Sequence, residues 1–333
     1  MPITLKDIAR HSGVDISTAS RALRDAYGVH EKTREKVLAA AKELRYHPNL
    51  MARGLATGRA QTIGVLISDI RNPYFGEVTR GAEDAAYAAG FDIVLCNSDL
   101  DPVKQMKYLR SLQEKRVSGI LMNSVARLSR SQREELATYD IPITVLNETP
   151  GTNHFSTVLA DNFQGGFLAG EHLVGLGHRV IAHLTSARHH DNMAQRYAGF
   201  LKAVRSSPKK VKLIVLHGLH TYNSGYDMAK KLLSQHPRVT AIFAANDALA
   251  FGVLRAIFEN GMSVPDDISV VGFDNVEFAA ISHPPLTTVH QPRYELGRAG
   301  VEILLRHSAG EVRVPEHRRF GVSLVERKST RAL

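Results

Sequence analysis

Leu5-Lys6-Asp7-Ile8-Ala9-Arg10-His11-Ser12-Gly13-Val14-Asp15-Ile16-Ser17-Thr18-Ala19-Ser20-Arg21-Ala22-Leu23 contains two apolar-periodic runs with a turn between them. Leu5, Ile8 and Ala9 fall at helical spacing, as do Ala19, Ala22 and Leu23, and Val37, Leu38, Ala41 and Leu44 form a third run. Gly13 permits the positive φ of a tight turn, Asp15 can cap the second helix, and Ala9 is small enough for close helix crossing. The pattern predicts a helix-turn-helix, whose second helix enters the major groove of DNA N-terminus first. Ser17, Thr18, Ser20 and Arg21 on that helix are polar and can reach phosphates or base edges. A plain three-helix bundle with a solvated face would show the same periodicity.

Charge favours the DNA reading. Residues 1–60 hold eleven lysines and arginines against six acids, while the whole chain of 333 residues carries 42 against 33, a net +9. Over half of the excess therefore sits in under a fifth of the chain, as a polyanion-binding segment requires. His47-Pro48-Asn49 should end the third helix at His47, because a proline biases the residue before it away from helix.

From Thr62 onward short β-rich runs alternate with amphipathic helical stretches. Ile63 to Ile67, Ile93 to Cys96, Ile120 to Met122 and Ile143 to Leu146 form one series; Val180 to Leu184, Leu213 to Leu216, Ala241 to Ala245 and Ile268 to Phe273 form a second. Intervening helices are expected at Val78 to Ala89, Met106 to Leu112, Leu168 to Leu176 and Leu249 to Asn260. Strands apolar on both faces and alternating with helices imply doubly wound parallel sheets, and two series imply two lobes with a cleft between them. The fold class is thus α/β: a small all-α DNA-binding domain (1–46), a linker (47–60) and a two-lobed core (61–333).

In such sheets ligands sit beyond the carboxyl ends of the strands. The residues there are polar or aromatic: Asn72, Tyr74 and Phe75; Asn123 and Ser124; Asn147; His189, His190, Asp191, Asn192 and Arg196; His220; Asn246 and Asp247; and Asp274, with Gln291 in an expected crossover between lobes. Asn72-Pro73 could instead start a turn, and Asp247 could cap the following helix. Serine-hydrolase, phosphate-loop and zinc-helix motifs are absent from the sequence. No catalytic residue, metal site or cofactor is expected, and His189-His190-Asp191 is too contiguous to face one ion. The single cysteine, Cys96, excludes an intramolecular disulfide and lies in an apolar run where burial is expected. The early charges and the lack of a stretch of ~20 apolar residues point to a cytoplasmic protein that does not cross a membrane.

The helix-turn-helix, together with Val29-His30-Glu31-Lys32-Thr33-Arg34-Glu35-Lys36-Val37, Leu44-Arg45-Tyr46-His47-Pro48-Asn49 and Ala52-Arg53-Gly54-Leu55, resembles the lactose-repressor (LacI/GalR) family. The likeness continues in order through Ile63-Gly64-Val65-Leu66, Asn72-Pro73-Tyr74-Phe75, Leu176-Gly177-His178-Arg179, Val264-Pro265-Asp266-Asp267-Ile268-Ser269-Val270-Val271-Gly272-Phe273-Asp274 and Leu286-Thr287-Thr288-Val289. It implies a homodimeric transcriptional regulator, most simply a repressor, on a palindromic operator. Its core would resemble periplasmic sugar-binding proteins, and a small effector, a sugar or a sugar-derived acid or phosphate, would change its DNA affinity. By the resemblance Ile16 and Ser17 discriminate bases, Arg21 contacts base or phosphate, and His30 stands where a phosphate-touching serine is usual. Asn49 to Leu55, with Ala52, matches the hinge helix, and Leu55 the leucine wedged into the minor groove. Gly54 departs from the better helix formers common there. Arg196, Asp274 and Asn246 become the ligand-gripping groups, Phe75 and Tyr74 pack on a ring, His190 and Asn192 tune ligand choice, His220 replaces an aromatic, and Asn147 an aspartate. A freestanding sugar-binding protein of transport type would share the core but lack residues 1–60.

Overall fold

The structure, a computed structural model, describes residues 3–23, 25–46, 60–124, 128–147, 154–186 and 191–333. The chain divides into two compact units, 1–60 and 61–333. In the first, α1 (Leu5–Ser12), α2 (Ile16–Leu23) and α3 (Glu31–Glu43) surround Ile8, Ala9, Ala19, Ala22, Val37 and Ala40. Thr4 and Asp7 form a capping box at the start of α1. Gly13, at φ 69°, ends α1 in the left-handed region, and the N–H of Val14 returns to the carbonyl of Ala9 at 3.0 Å. Asp15 then caps α2, accepting from the Thr18 N–H at 2.9 Å. The third helix stops earlier than the proline suggested: Arg45 adopts φ 48° and the N–H of Tyr46 bonds to the Ala41 carbonyl at 2.8 Å, reversing the chain before Pro48 acts.

The second unit contains two six-stranded sheets. The first holds β1 (Thr62–Ile67), β2 (Asp92–Asn97), β3 (Gly119–Asn123), β4 (Ile143–Leu146) and β5 (Ser156–Ala160), interleaved with α4 (Tyr74–Ala88), α5 (Pro102–Glu114) and α6 (Arg130–Ala137). The second holds β6 (Val180–Ser186), β7 (Lys212–Gly218), β8 (Ala241–Ala244), β9 (Ser269–Asp274) and β10 (Thr287–His290), with α7 (Asn162–Gly175), α8 (Asp191–Arg205), α9 (Tyr222–Gln235), α10 (Asp247–Glu259) and the short α11 (Glu277–Ile281). The chain then returns to the first lobe as α12 (Arg293–Ser308) and β11 (His317–Phe320), and ends in the second with β12 (Ser323–Val325). Strand orders are β11-β5-β4-β3-β1-β2 and β12-β10-β9-β8-β6-β7; only β12 runs antiparallel to its neighbour.

β1, β3, β4, β8 and β9 are buried on nearly every residue, which is why they read as unbroken apolar runs. Cys96 is buried in β2 and is a free thiol. Helix α7 starts six residues ahead of the expected Leu168, through two glycines that look like helix breakers. These glycines allow contact rather than a bend: a Cβ on Gly166 would lie 1.9 Å from the carbonyl oxygen of Arg196 on α8.

Candidate functional site

On the first unit α2 presents Ile16, 44% exposed, beside exposed Ser17 and Arg21, with Thr18 and Ser20 partly covered. His30 occupies the N-cap position of α3, exposed and without a side-chain capping bond. Asn49, Ala52 and Leu55 lie outside the described residues, as does His190.

In the core a cleft of about 630 Å³ opens at the carboxyl ends of the strands of both lobes. Its wall includes eleven expected residues: Asn72, Tyr74, Phe75, Asn123, Ser124, Asn147, Asn192, Arg196, His220, Asn246 and Asp274. Ser68, Asp69, Leu100 and Met193 complete it. Asn72 also builds the turn into α4, accepting from the Tyr74 N–H at 3.0 Å. Gln291 is not on the wall. It is fully buried behind Asp274, to which its amide donates at 2.7 Å, and its own Oε1 has no partner.

The charged centre is Arg196 with Asp274. Both are buried, Nη1 to Oδ1 is 3.8 Å, and the guanidinium stacks 3.7 Å from the Phe273 ring centroid. Arg196 Nε donates to Asn162 Oδ1 at 2.8 Å and Nη1 to the Ala245 carbonyl at 2.5 Å, so α7 and the end of β8 fix its fork. Burial pushes the Asp274 carboxyl up to about 6, against the opposing pull of Arg196 and Arg293. Behind it Asp247 is fully buried and accepts from Thr288 Oγ1 at 2.6 Å and the Val276 N–H at 2.9 Å. Burial and then the charge of Asp274 push Asp247 up to about 8. The cap of α10 is Asn246, not Asp247: its Oδ1 accepts from the Leu249 N–H at 2.9 Å, while its Nδ2 donates to the His220 carbonyl at 3.2 Å.

Across the cleft Tyr74 and Phe75 meet edge to face, with ring centroids 5.1 Å apart, and Asn147 Nδ2 donates to Tyr74 Oη at 2.6 Å. Burial raises the Tyr74 hydroxyl well above its usual range, so it remains a neutral donor. Backbone strain gathers here too. Leu100 at φ 60°, Asn147 at 56° and Asp274 at 121° all line the cleft in conformations that side chains rarely adopt. For Leu100 no sequence signal could have revealed this, since leucine favours neither turns nor positive φ.

Two family models match the chain: bacterial regulatory proteins of the lacI family over residues 4–49, and the periplasmic binding protein-like domain over 171–330. An HTH-type transcriptional repressor PurR from Mannheimia succiniciproducens is 34% identical, with 99% of each chain covered. Among solved structures, a lac repressor dimer bound to operator and the anti-inducer ONPF superposes with a TM-score of 0.87 at 32% identity over the full length of both chains. A LacI family regulator from Enterococcus faecium with bound ribose gives 0.74 at 35% identity, covering 82% of this chain and 99% of that one. No helix among the described residues is long and apolar enough to cross a membrane. The chain therefore belongs to the lacI family of DNA-binding transcriptional regulators, a helix-turn-helix joined to a ligand-binding core of two parallel-sheet lobes.

Proposed function

We propose that this protein is a cytoplasmic, non-enzymatic repressor that binds a palindromic operator as a homodimer and is controlled by a neutral, hydroxylated sugar in the cleft. The domains act as 1–46 for major-groove reading, 47–60 for the hinge and 61–333 for effector binding and dimerisation. Ile16 would meet a thymine methyl group; Ser17, Thr18, Ser20 and Arg21 base edges or phosphate; His30 phosphate. Asn49, Ala52 and Leu55 would form the minor-groove contact. The likeness to an operator-bound dimer supports this part.

The effector class rests on the Arg196–Asp274 pair. A sugar hydroxyl both donates and accepts, and the pair offers a donor fork and an acceptor carboxylate side by side, ringed by the amides of Asn123, Asn147, Asn192 and Asn246. The arginine charge is already countered by Asp274 and spread over Phe273, which favours a neutral ring over the sugar acid or phosphate that the sequence left open. Tyr74 and Phe75 supply an apolar edge for the ring. The ribose-bound relative is consistent with this class.

Melting the full chain with neutral sugars, sugar acids, sugar phosphates and nucleobases tests it. A neutral sugar at 100 times its Kd should add ~2.7 kcal/mol of stability. Arg196→Ala should abolish that gain. Stabilisation by phosphates alone would contradict the assignment.

Coupling follows the chain itself. Residues 47–60 lead directly into β1, and the carboxyl end of β1 contributes Ser68 and Asp69 to the cleft wall. A ligand that draws the lobes together thereby bears on the strand from which the hinge departs.

A further inference from the structure

At the leading end of α2 one carboxylate accepts hydrogen bonds from two hydroxyls. Ser17 Oγ donates to Asp15 Oδ1 at 2.5 Å and Thr18 Oγ1 donates to Asp15 Oδ2 at 2.7 Å, while Oδ1 also receives the Thr18 N–H at 2.9 Å. Asp15 and Ser17 are exposed, on the end of the helix that enters the groove first. Among the described residues no lysine or arginine pairs with Asp15, and the three hydrogen bonds hold its carboxyl far below the usual carboxylate range.

A serine hydroxyl has one proton and two lone pairs. With the proton committed to Asp15, only lone pairs face outward. In the major groove the base-edge donors are the exocyclic amino groups of adenine and cytosine, whereas guanine O6 and N7 and thymine O4 accept. We propose that Asp15 is a specificity-determining residue that makes Ser17 an acceptor, so that each operator half-site presents an adenine or cytosine amino group to Ser17. The carboxylate adds to the selection, since its negative charge opposes a guanine or thymine oxygen brought to the same place. This inference rests on the DNA-binding role of α2 proposed above.

The test is selection of duplexes from a randomised library by the full chain and by its Ser17→Ala and Asp15→Asn variants, followed by titration of the selected duplex and its single base-pair variants. Ser17→Ala locates the base pair by erasing the preference there. Asparagine remains a good cap but can donate to the Ser17 oxygen, releasing the hydroxyl proton. The unaltered chain should favour the amino-bearing base over guanine by about tenfold, the lower range for a base-edge contact. Asp15→Asn should bring that ratio close to one. If Asp15→Asn weakens binding to all variants equally and leaves the ratio intact, Asp15 is only a helix cap and the proposal is overturned. A preference for guanine or thymine at that position, or no position altered by Ser17→Ala, overturns it too. If the unaltered chain enriches no sequence at all, the DNA-binding reading falls with it.

Discussion

The packing of α7 on α8 makes a quantitative prediction about both stability and the site. A Cβ on Gly166 would stand 1.9, 2.7 and 2.9 Å from the oxygen, carbon and Cα of Arg196, all backbone, so no rotamer change can relieve the contact. Cβ atoms essentially never approach within 3.0 Å of other heavy atoms, so a gap of about 1.1 Å must open between the helices. Gly199 returns the contact, its Cβ position being 1.9 Å from the Phe163 oxygen. Gly166→Ala gains ~1 kcal/mol of helix propensity. Overpacking two helix backbones costs roughly 3 kcal/mol, the upper part of the usual range. The net loss of ~2 kcal/mol should lower the Tm by ~4–8 °C for a unit of this size. Arg196 moves with its backbone, away from Asn162 on the opposite helix, so effector affinity should fall as well. Gly175, on the same helix with nothing within 4 Å of its Cβ position, supplies the control: Gly175→Ala should melt at or slightly above the unaltered protein. Calorimetry of the three proteins decides it. If Gly166→Ala melts as high as Gly175→Ala and keeps effector affinity, the close crossing and its hold on Arg196 are refuted.

Three further outcomes follow from the same geometry. Because burial raises the Asp274 carboxyl to about 6, it is protonated as pH falls through that value and loses the form that accepts sugar hydroxyls. Effector affinity measured by calorimetry should fall about tenfold between pH 7 and pH 5. Asp274→Asn should bind weakly without that slope, and a level profile in the unaltered protein would count against the carboxylate's role. His183 is fully buried among Tyr197, Phe200 and Phe243, and burial depresses it to about 3. Its folded value lies below the ordinary 6.5, so folding is disfavoured progressively as pH drops below 6.5. His183→Phe should therefore gain ~2 kcal/mol relative to the unaltered protein between pH 6.5 and 5 in denaturant titrations, and no relative gain would contradict the assignment. Arg21→Ala and Leu55→Ala should each weaken operator binding in mobility-shift assays while leaving effector binding of the core intact; loss of effector binding in either breaks the division between units.

The features legible in the sequence were those written in periodicity and chain order. Helical spacing gave α1 to α3, Gly13 the turn and Asp15 the cap, while apolar runs gave most of the buried strands. The rule that ligands lie beyond strand carboxyl ends brought eleven expected residues to one wall. What escaped depended on tertiary context. β5, Ser156–Ala160, opens on Ser156 and Thr157 and offers only three apolar residues, and α6 buries only Leu136, so neither announces itself. Gly165 and Gly166 look like breakers until Phe273 and Val289 are packed against the first and α8 against the second. Gln291 was placed with the ligand but holds Asp274 from behind, and Asp247, placed at the cleft with a helix cap as the alternative, is buried behind it and ties α10 to Thr288 and Val276.

The central claim is that the cleft controls the operator. It is tested most directly by titrating operator duplex with the full chain at fixed salt, with and without a sugar identified by melting, and repeating this with Arg196→Ala. Operator affinity should change by at least about fivefold with the sugar, a coupling of ~1 kcal/mol or more, and should not change in Arg196→Ala. Operator affinity indifferent to a sugar that demonstrably occupies the cleft would contradict it.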